Sequence, residues 1–316
     1  MEGLVHSIVT DGSKTPAVLA EQQEARKVVT GLTSETVAQL LERLADHQIT
    51  SMPLMAPDFT VVGLVDWMDV VAFLLDSMDL SAEDARRTTP DGFLSRIAGC
   101  TVEPAEQAKV SNRSSTNPLV LLPASATVRD AFEHFSHGVH RIALQNADCV
   151  IDHILTQSEG AQWLAADPAR LGAAAPRSLA DLGLVKGADS VLSVPDSVSA
   201  YEAFLKMRKH FVVAVVVVDQ AGRMVSVFSA SDLKAVQKLG FEALLEPVAA
   251  FVEKSHHARG LVTRRYRVVG APAMTLADAV AHLVQENVHR MVVVDADVHP
   301  LGVVTLSDIA KAVLSN

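Results

Sequence analysis

The sequence predicts an α/β fold built of α+β repeats: four β-α-β-β-α units in one chain. Three observations predict it. A fixed offset occurs four times: His289 precedes Thr305 by 16 residues and Asp308 by 19. The same offsets lead from His140 to Thr156 and Glu159, from Val213 to Ser229 and Asp232, and from Thr50 to Asp66 and Asp69. Upstream of each anchor lies a stretch with apolar residues at i, i+3, i+4 and i+7, the buried stripe of an amphipathic helix. Between anchor and hydroxyl or acid lie two short apolar runs separated by a polar turn. Self-similarity of this kind decides architecture before any single residue does.

The elements follow in order. Short opening strands are expected at Lys27–Val29, Leu119–Leu122, Val191–Val194 and Arg267–Val269. The first helices carry Val37, Leu40, Leu41 and Leu44; Val128, Ala131, Phe132 and Phe135; Ala200, Ala203, Phe204 and Met207; and Leu276, Ala279, Val280 and Leu283. Paired strands such as Met291–Val294 and Leu301–Val304 come next, and Asp219-Gln220-Ala221-Gly222 is a hairpin signal. Second helices such as Trp67–Leu75 and Leu306–Leu314 close each unit, with Trp67 and Trp163 as packing residues. The anchors are 90, 73 and 76 residues apart, so the first interval holds an insertion. The expected organisation is repeat one at 24–78, an insertion at 79–117, repeat two at 118–168, repeat three at 178–240 and repeat four at 245–316. The Ala-, Gly- and Pro-rich stretch 165–178 reads as a linker dividing the chain into halves.

Bulk properties narrow the function. The 316 residues are 49% hydrophobic with a mean hydropathy of +0.25, which indicates well-buried globular structure. A formal charge of −10 excludes a general nucleic-acid binder, so an anionic ligand has to be held by local cations. Two cysteines, Cys100 and Cys149, build neither a disulfide framework nor a cysteine-rich zinc site. The N-terminus shows no secretory signal, and the apolar run 211–218 is far too short to span a bilayer. No membrane association is expected, and the expected location is cytoplasmic, nuclear or both.

Two motifs carry chemistry. Thr305…Asp308, Ser229…Asp232 and Thr156…Glu159, with Asp66…Asp69 as a variant, have capping-box spacing. Such a helix start also offers free N–H groups and positive dipole to an anion. The dipeptides His140-Arg141 and His289-Arg290 recur at one register, each after a valine. Arginine's planar fork suits phosphate oxygens. His134, His137 and His140 lack a completing carboxylate or cysteine, so no metal is expected. His256-His257 and Arg264, Arg265 and Arg267 read as a solvated face. No phosphate-cradling Gly loop, nucleophile elbow or zinc motif is present, so no catalytic residue and no catalytic cofactor are expected.

The segments RSLADLGL, DQAGRMVSVFSASDL, KSHHARGLVTRRYRVV and VHRMVVVDADVHPLGVVTLSDIAKAVL resemble CBS domains, which in tandem form Bateman modules. Four copies resemble the gamma regulatory subunit of AMP-activated protein kinase, and share their architecture with fungal four-repeat stress-response proteins that act on a phosphatase. The resemblance implies two Bateman modules forming a disc and a non-catalytic regulator binding AMP, ADP or ATP. It implies a protein partner, either the kinase catalytic and scaffold subunits or a phosphatase, the latter with vestigial nucleotide sites. S-adenosyl ligands use the same pocket in other members. Asp69, Asp232 and Asp308 then hold ribose, while His140, Arg141, His289 and Arg290, with Thr156, Ser229 and Thr305, face phosphate. Arg264, Arg265 and Arg267 would steer phosphate inward, and the base would enter beside apolar strands such as Val191–Val194. Glu159 departs from the Asp of the pattern, and Thr50 stands where gamma subunits carry Arg. From this we expect repeat one to pair with two and three with four, and binding to concentrate in residues 178–316, with phosphate ligands partly from His140-Arg141 across the disc.

Overall fold

The computed structural model describes residues 28–47, 49–77, 120–123, 125–147, 150–258 and 269–315, with isolated positions 87, 89, 91, 92 and 95 between. The 79–117 insertion, apart from those positions, and Arg264, Arg265 and Arg267 lie outside the described residues.

Repeat one comprises β1 (Gly31–Leu32), α1 (Val37–Asp46), β2 (Ser51–Met55), β3 (Val61–Asp66) and α2 (Trp67–Ser77). Repeat two runs β4 (Val120–Pro123), α3 (Val128–Ser136), β5 (Arg141–Gln145), β6 (Ile151–Thr156) and α4 (Gln157–Ala166). Repeat three has β7 (Ser193–Pro195), α5 (Ala200–Lys209), β8 (Ala214–Val218) and β9 (Met224–Ser229). It closes on a 3-10 turn, Ala230–Ala235, running into α6 (Val236–Leu239). After α7 (Val248–Ala258), repeat four has β10 (Val269–Gly270), α8 (Leu276–Gln285), β11 (Arg290–Val294), β12 (Pro300–Thr305) and α9 (Leu306–Leu314).

Each repeat forms its own three-stranded sheet, parallel across the helical crossover and antiparallel across the hairpin. All four hairpins share one irregularity, a register shift before the last paired residue of the first hairpin strand. The recurring offset is therefore a register. Arg290, Arg141, Ala214 and Ser51 lie directly opposite Thr305, Thr156, Ser229 and Asp66.

The helix faces predicted from spacing are the buried ones. Val37, Leu40, Phe132, Phe135, Phe204, Met207, Val280 and Leu283 are all at most 2% exposed, and Leu41 packs against the core edge. The opening strands end one to three residues later than expected, most clearly at Gly31–Leu32, where the expected strand ended at Val29. Packing is close there: a Cβ on Gly31 would lie 2.8 Å from Leu40 Cδ2, so a larger residue would require the Leu40 side chain to shift.

Two expectations are corrected. The stretch 165–178 is no linker: α4 runs to Ala166, and a 3-10 segment, Pro168–Ala174, buries Leu171 and Ala174. Arg170 lies over the Trp163 ring at 4.4 Å. Beyond it, Leu179 N–H donates to Met274 O at 2.9 Å and Gly187 N–H to Leu301 O at 2.9 Å, so this strap belongs to repeat four. The pairing also differs. One compact unit joins repeats two and four, and the other joins one and three.

In the two-four unit the pairing is reciprocal: α3 packs on α9, and α8 packs on α4. Phe132 sits 5.9 Å from Phe135 and 6.0 Å from Trp163, ring centre to ring centre, within the core that the two repeats share. In the one-three unit α2 packs on the Ala230–Ala235 turn, and Phe228 meets Phe251 of α7 edge-on at 5.9 Å. Among the described residues no helix is long and apolar enough to cross a membrane.

A double-mutant cycle tests the pairing. Phe135→Ala and Ile309→Ala should each cost about 3 kcal/mol and couple by more than about 0.5 kcal/mol in urea unfolding. Phe135→Ala combined with Leu40→Ala should be additive to within about 0.5 kcal/mol.

Candidate functional site

Each first helix ends in a way that delivers the next residue to a fixed place. Val139 N–H donates to His134 O at 3.2 Å, and Gly138 N–H to Phe135 O at 3.1 Å, a Schellman ending. The same six-residue closure recurs as Val288 to Leu283, Val212 to Met207 and Ile49 to Leu44, all at 3.0 Å. The apolar residue at each closure is followed by His140, His289, Val213 or Thr50. The carbonyl of that residue accepts the first N–H of the second helix: Gln157 N to His140 O at 3.1 Å and Leu306 N to His289 O at 3.2 Å. Ala230 N to Val213 O at 3.0 Å and Trp67 N to Thr50 O at 3.4 Å repeat it. The basic dipeptides thus stand beside helix N-termini, where the dipole is positive.

The capping boxes form in every repeat. Thr305 donates its N–H and its hydroxyl to Asp308 Oδ2 at 2.8 and 2.6 Å, and Asp308 N–H returns to Thr305 Oγ1 at 3.2 Å. Ser229 donates likewise to Asp232 Oδ2, both at 2.8 Å. Thr156 donates to Glu159 Oε2 at 2.7 and 2.8 Å. Asp66 N–H donates to Asp69 Oδ2 at 2.9 Å. One oxygen of each acid is therefore committed to its own helix.

The second oxygens distinguish the repeats. Glu159 Oε1 lies 3.0 Å from His153 Nε2, an approach its extra methylene allows. Asp232 Oδ1 accepts the Ser255 hydroxyl at 3.2 Å and lies 3.4 Å from His256 Nε2, both residues on α7. Asp69, Glu159 and Asp232 are buried, at 4%, 8% and 2% exposure. Asp308 alone among these four acids is half-exposed.

The two-four unit gathers the basic residues. Gln157 Nε2 donates to Ser307 Oγ at 2.8 Å and to Val139 O at 3.0 Å, tying the start of α4 to that of α9. His140 and Arg141 of repeat two therefore share one electrostatic neighbourhood with His289 and Arg290 of repeat four. Burial, then Arg141, Arg290 and His289, push the His140 imidazole from 6.5 down to about 4. A neutral imidazole is thus held among cations at two helix N-termini, an arrangement suited to a multiply charged anion.

Ser229 and Asp232 belong to the one-three unit, while Thr305, Asp308, His289 and Arg290 belong to the two-four unit with His140, Arg141 and Thr156. Val213-Ala214 and Thr50-Ser51 bring no charge to the corresponding places in the one-three unit. Sequence reasoning missed Gln157, Ser307, His153 and Ser255, and it read His256, which faces Asp232, as a solvated residue. Among the described residues no group of three or more His, Cys, Asp or Glu is arranged to hold a metal ion.

The CBS domain family matches residues 187–238 and 258–315, which cover repeats three and four, and repeats one and two share their register and caps. The chain is a CBS-repeat protein. CBS repeats are regulatory modules rather than catalytic ones. Protein SDS23 of Yarrowia lipolytica is 27% identical over 276 residues, covering 83% of this chain and 54% of that protein. 5'-AMP-activated protein kinase subunit gamma-3 of Sus scrofa is 27% identical over 209 residues, covering 62% of this chain and 38% of that one. This CBS-repeat chain thus spans about half the length, or less, of these curated relatives. Protein MJ1225 of Methanocaldococcus jannaschii, a proposed archaeal homologue of g-AMPK, shares the fold with a TM-score of 0.65 at 17% identity, covering 92% of this chain and 98% of its own.

Two measurements check this geometry. Thr305→Ala removes the cap oxygen of α9 and should cost about 1 kcal/mol in urea unfolding. His140 has a folded pKa below its unfolded one, so the unfolded chain takes the proton first as pH falls from 6.5 towards 4. Stability should therefore fall through that window by on the order of 2–3 kcal/mol, with no contribution from this residue above it. His140→Gln should flatten that part of the profile.

Proposed function

We propose that this CBS-repeat protein is a regulatory sensor that binds an adenine nucleotide and reports it to a protein partner. The observation that carries the reading is the convergence of His140, Arg141, His289 and Arg290 beside two helix N-termini. Phosphates would be held by the arginines, with Thr156 and Thr305 at the helix starts. Asp308, the one half-exposed acid of the four, is the proposed ribose ligand, its Oδ1 turned to the sugar diol while Oδ2 closes the cap. Asp69 and Asp232 are weaker candidates, because both are buried and Asp232 Oδ1 is already held by α7. Arg264, Arg265 and Arg267 remain proposed steering residues.

Sequence likeness to fungal SDS23 proteins extends over more of both chains than likeness to the gamma-3 subunit. That supports the second partner class read from the sequence, a phosphatase, over a kinase complex. The one-three unit, whose anchors are Thr50-Ser51 and Val213-Ala214, is the part proposed to serve the partner rather than the ligand.

Titration calorimetry with AMP, ADP and ATP tests the ligand. Parent protein should bind, and Arg290→Ala should weaken binding by roughly 1.5–3 kcal/mol, about 10- to 150-fold, with the fold intact. Asp308→Ala should weaken AMP and ATP but spare pyrophosphate. Unchanged binding in both Arg290→Ala and Arg141→Ala would contradict the assignment. Absence of heat and of thermal stabilisation at millimolar nucleotide would leave a scaffold with vestigial pockets.

A further inference from the structure

The first helices of repeats two, three and four end in one geometry but not on one residue type. Gly138 N–H closes back to Phe135 O, Phe211 N–H to Arg208 O and Asn287 N–H to Val284 O, all at 3.1 Å. The closing residue takes a left-handed backbone, with φ of 87° at Gly138, 54° at Phe211 and 52° at Asn287. Glycine adopts that conformation without strain and asparagine readily, whereas a bulky side chain there is an outlier. Repeat three nevertheless has phenylalanine. Its ring is 71% exposed, and the apolar residue of this ending that packs on the core is Val212. Neither backbone preference nor burial accounts for Phe211.

Its flank is cationic. Helix α5 carries Lys206, Arg208 and Lys209 in its last turn, and His210 follows. Lys206 Nζ donates to Ser193 O at 2.7 Å and is committed inside the repeat. Lys209 and His210 are exposed and lead straight into Phe211. The acid of α5, Glu202, caps Ser199 at the other end of the helix. Basic residues at a helix C-terminus offset its dipole, which is reason enough for Lys209. It is no reason for an aromatic ring held in solvent on a strained backbone. Strain of that kind persists where a site makes use of it.

We propose that the end of α5 is a docking point for a protein partner: Phe211 is the apolar anchor, flanked by Arg208, Lys209 and His210, and the partner offers an acidic segment with an apolar residue of its own. Charge complementarity selects that partner. In a chain of net charge −10, a basic corner is where an acidic segment is attracted rather than repelled. An aromatic side chain beside charge is also the usual composition of an interface anchor. An anionic membrane fits less well, because attachment to it takes a cluster of about four to eight basic residues. The proposal rests on the partner reading above only for the existence of a protein partner, and the nucleotide site plays no part in it.

Fluorescence anisotropy with the intact chain and short labelled peptides tests it. The probe is a Glu-rich peptide with a central Phe-Leu pair, and its controls carry Lys in place of Glu or Ser in place of Phe-Leu. The probe should bind saturably and more tightly than either control, and added salt should weaken it. Phe211→Gly should weaken binding about 10-fold. The same variant should melt at an unchanged or higher Tm, because glycine relieves the left-handed strain. Lys209→Glu should weaken binding and flatten its salt dependence. Equal probe binding by parent and Phe211→Gly, no saturable binding up to millimolar probe, or a lowered Tm for Phe211→Gly would overturn the inference. So would binding to phosphatidylserine vesicles in place of the peptide, or self-association that Phe211→Gly abolishes, which assign the ring to a membrane or to a second copy. ATP titration keeps the two readings apart. Loss of the probe with ATP still bound overturns this surface alone, and loss of ATP with the probe still bound overturns the nucleotide site alone.

Discussion

The rest of the structure depends on one hydrogen bond, made four times: the first N–H of each second helix donates to the carbonyl just before the hairpin. His289, His140, Val213 and Thr50 supply those carbonyls at 3.0–3.4 Å. A Schellman ending fixes where that residue leaves the first helix, and the hairpin shift fixes how far the chain travels before returning. Residues 16 and 19 positions apart are thereby made neighbours at a helix N-terminus. Any basic residue written at the anchor then meets positive dipole and a capping acid without further arrangement. Specialisation among the repeats becomes a matter of which side chain is written there.

Packing decides how the four copies are used. Each repeat alone leaves its helix faces open, and reciprocal contact of α3 with α9 and α8 with α4 covers those of repeats two and four. The two repeats so joined are the two that carry His-Arg. Repeats one and three, joined in the other unit, bring Thr50-Ser51 and Val213-Ala214. Charge is therefore concentrated in one unit and absent from the equivalent place in the other. In a chain of net charge −10, that local concentration is what would give an anion a preferred address under the proposed function.

Periodicity made much of this legible. Leu40, Phe132, Phe204 and Val280 are buried because a 3.6-residue stripe admits no other placement. The capping boxes were equally legible, since three-residue spacing is local chemistry. Pairing was not, because an apolar stripe states that it is buried and not against what. Gly31 was passed over because strand propensity favours Val28 and Val29, while the close approach of Leu40 is a tertiary fact. The Ala-rich 168–174 segment looked like a tether because its two buried residues, Leu171 and Ala174, are sparse. Likewise nothing local to Asp232 or Glu159 announces Ser255 or His153, which take their second oxygens. Of these two acids the motif ranked only Asp232 with Asp308, and Glu159 already departed from its Asp.

The central claim is that the two-four unit holds the phosphates of a nucleotide. A crystal structure of the chain grown with ADP tests it most directly. The account predicts phosphate oxygens within about 3 Å of both Arg141 and Arg290, with the ribose diol on Asp308. ADP phosphates bound at the Val213-Ala214 or Thr50-Ser51 positions, with Arg141 and Arg290 left in solvent, would contradict it.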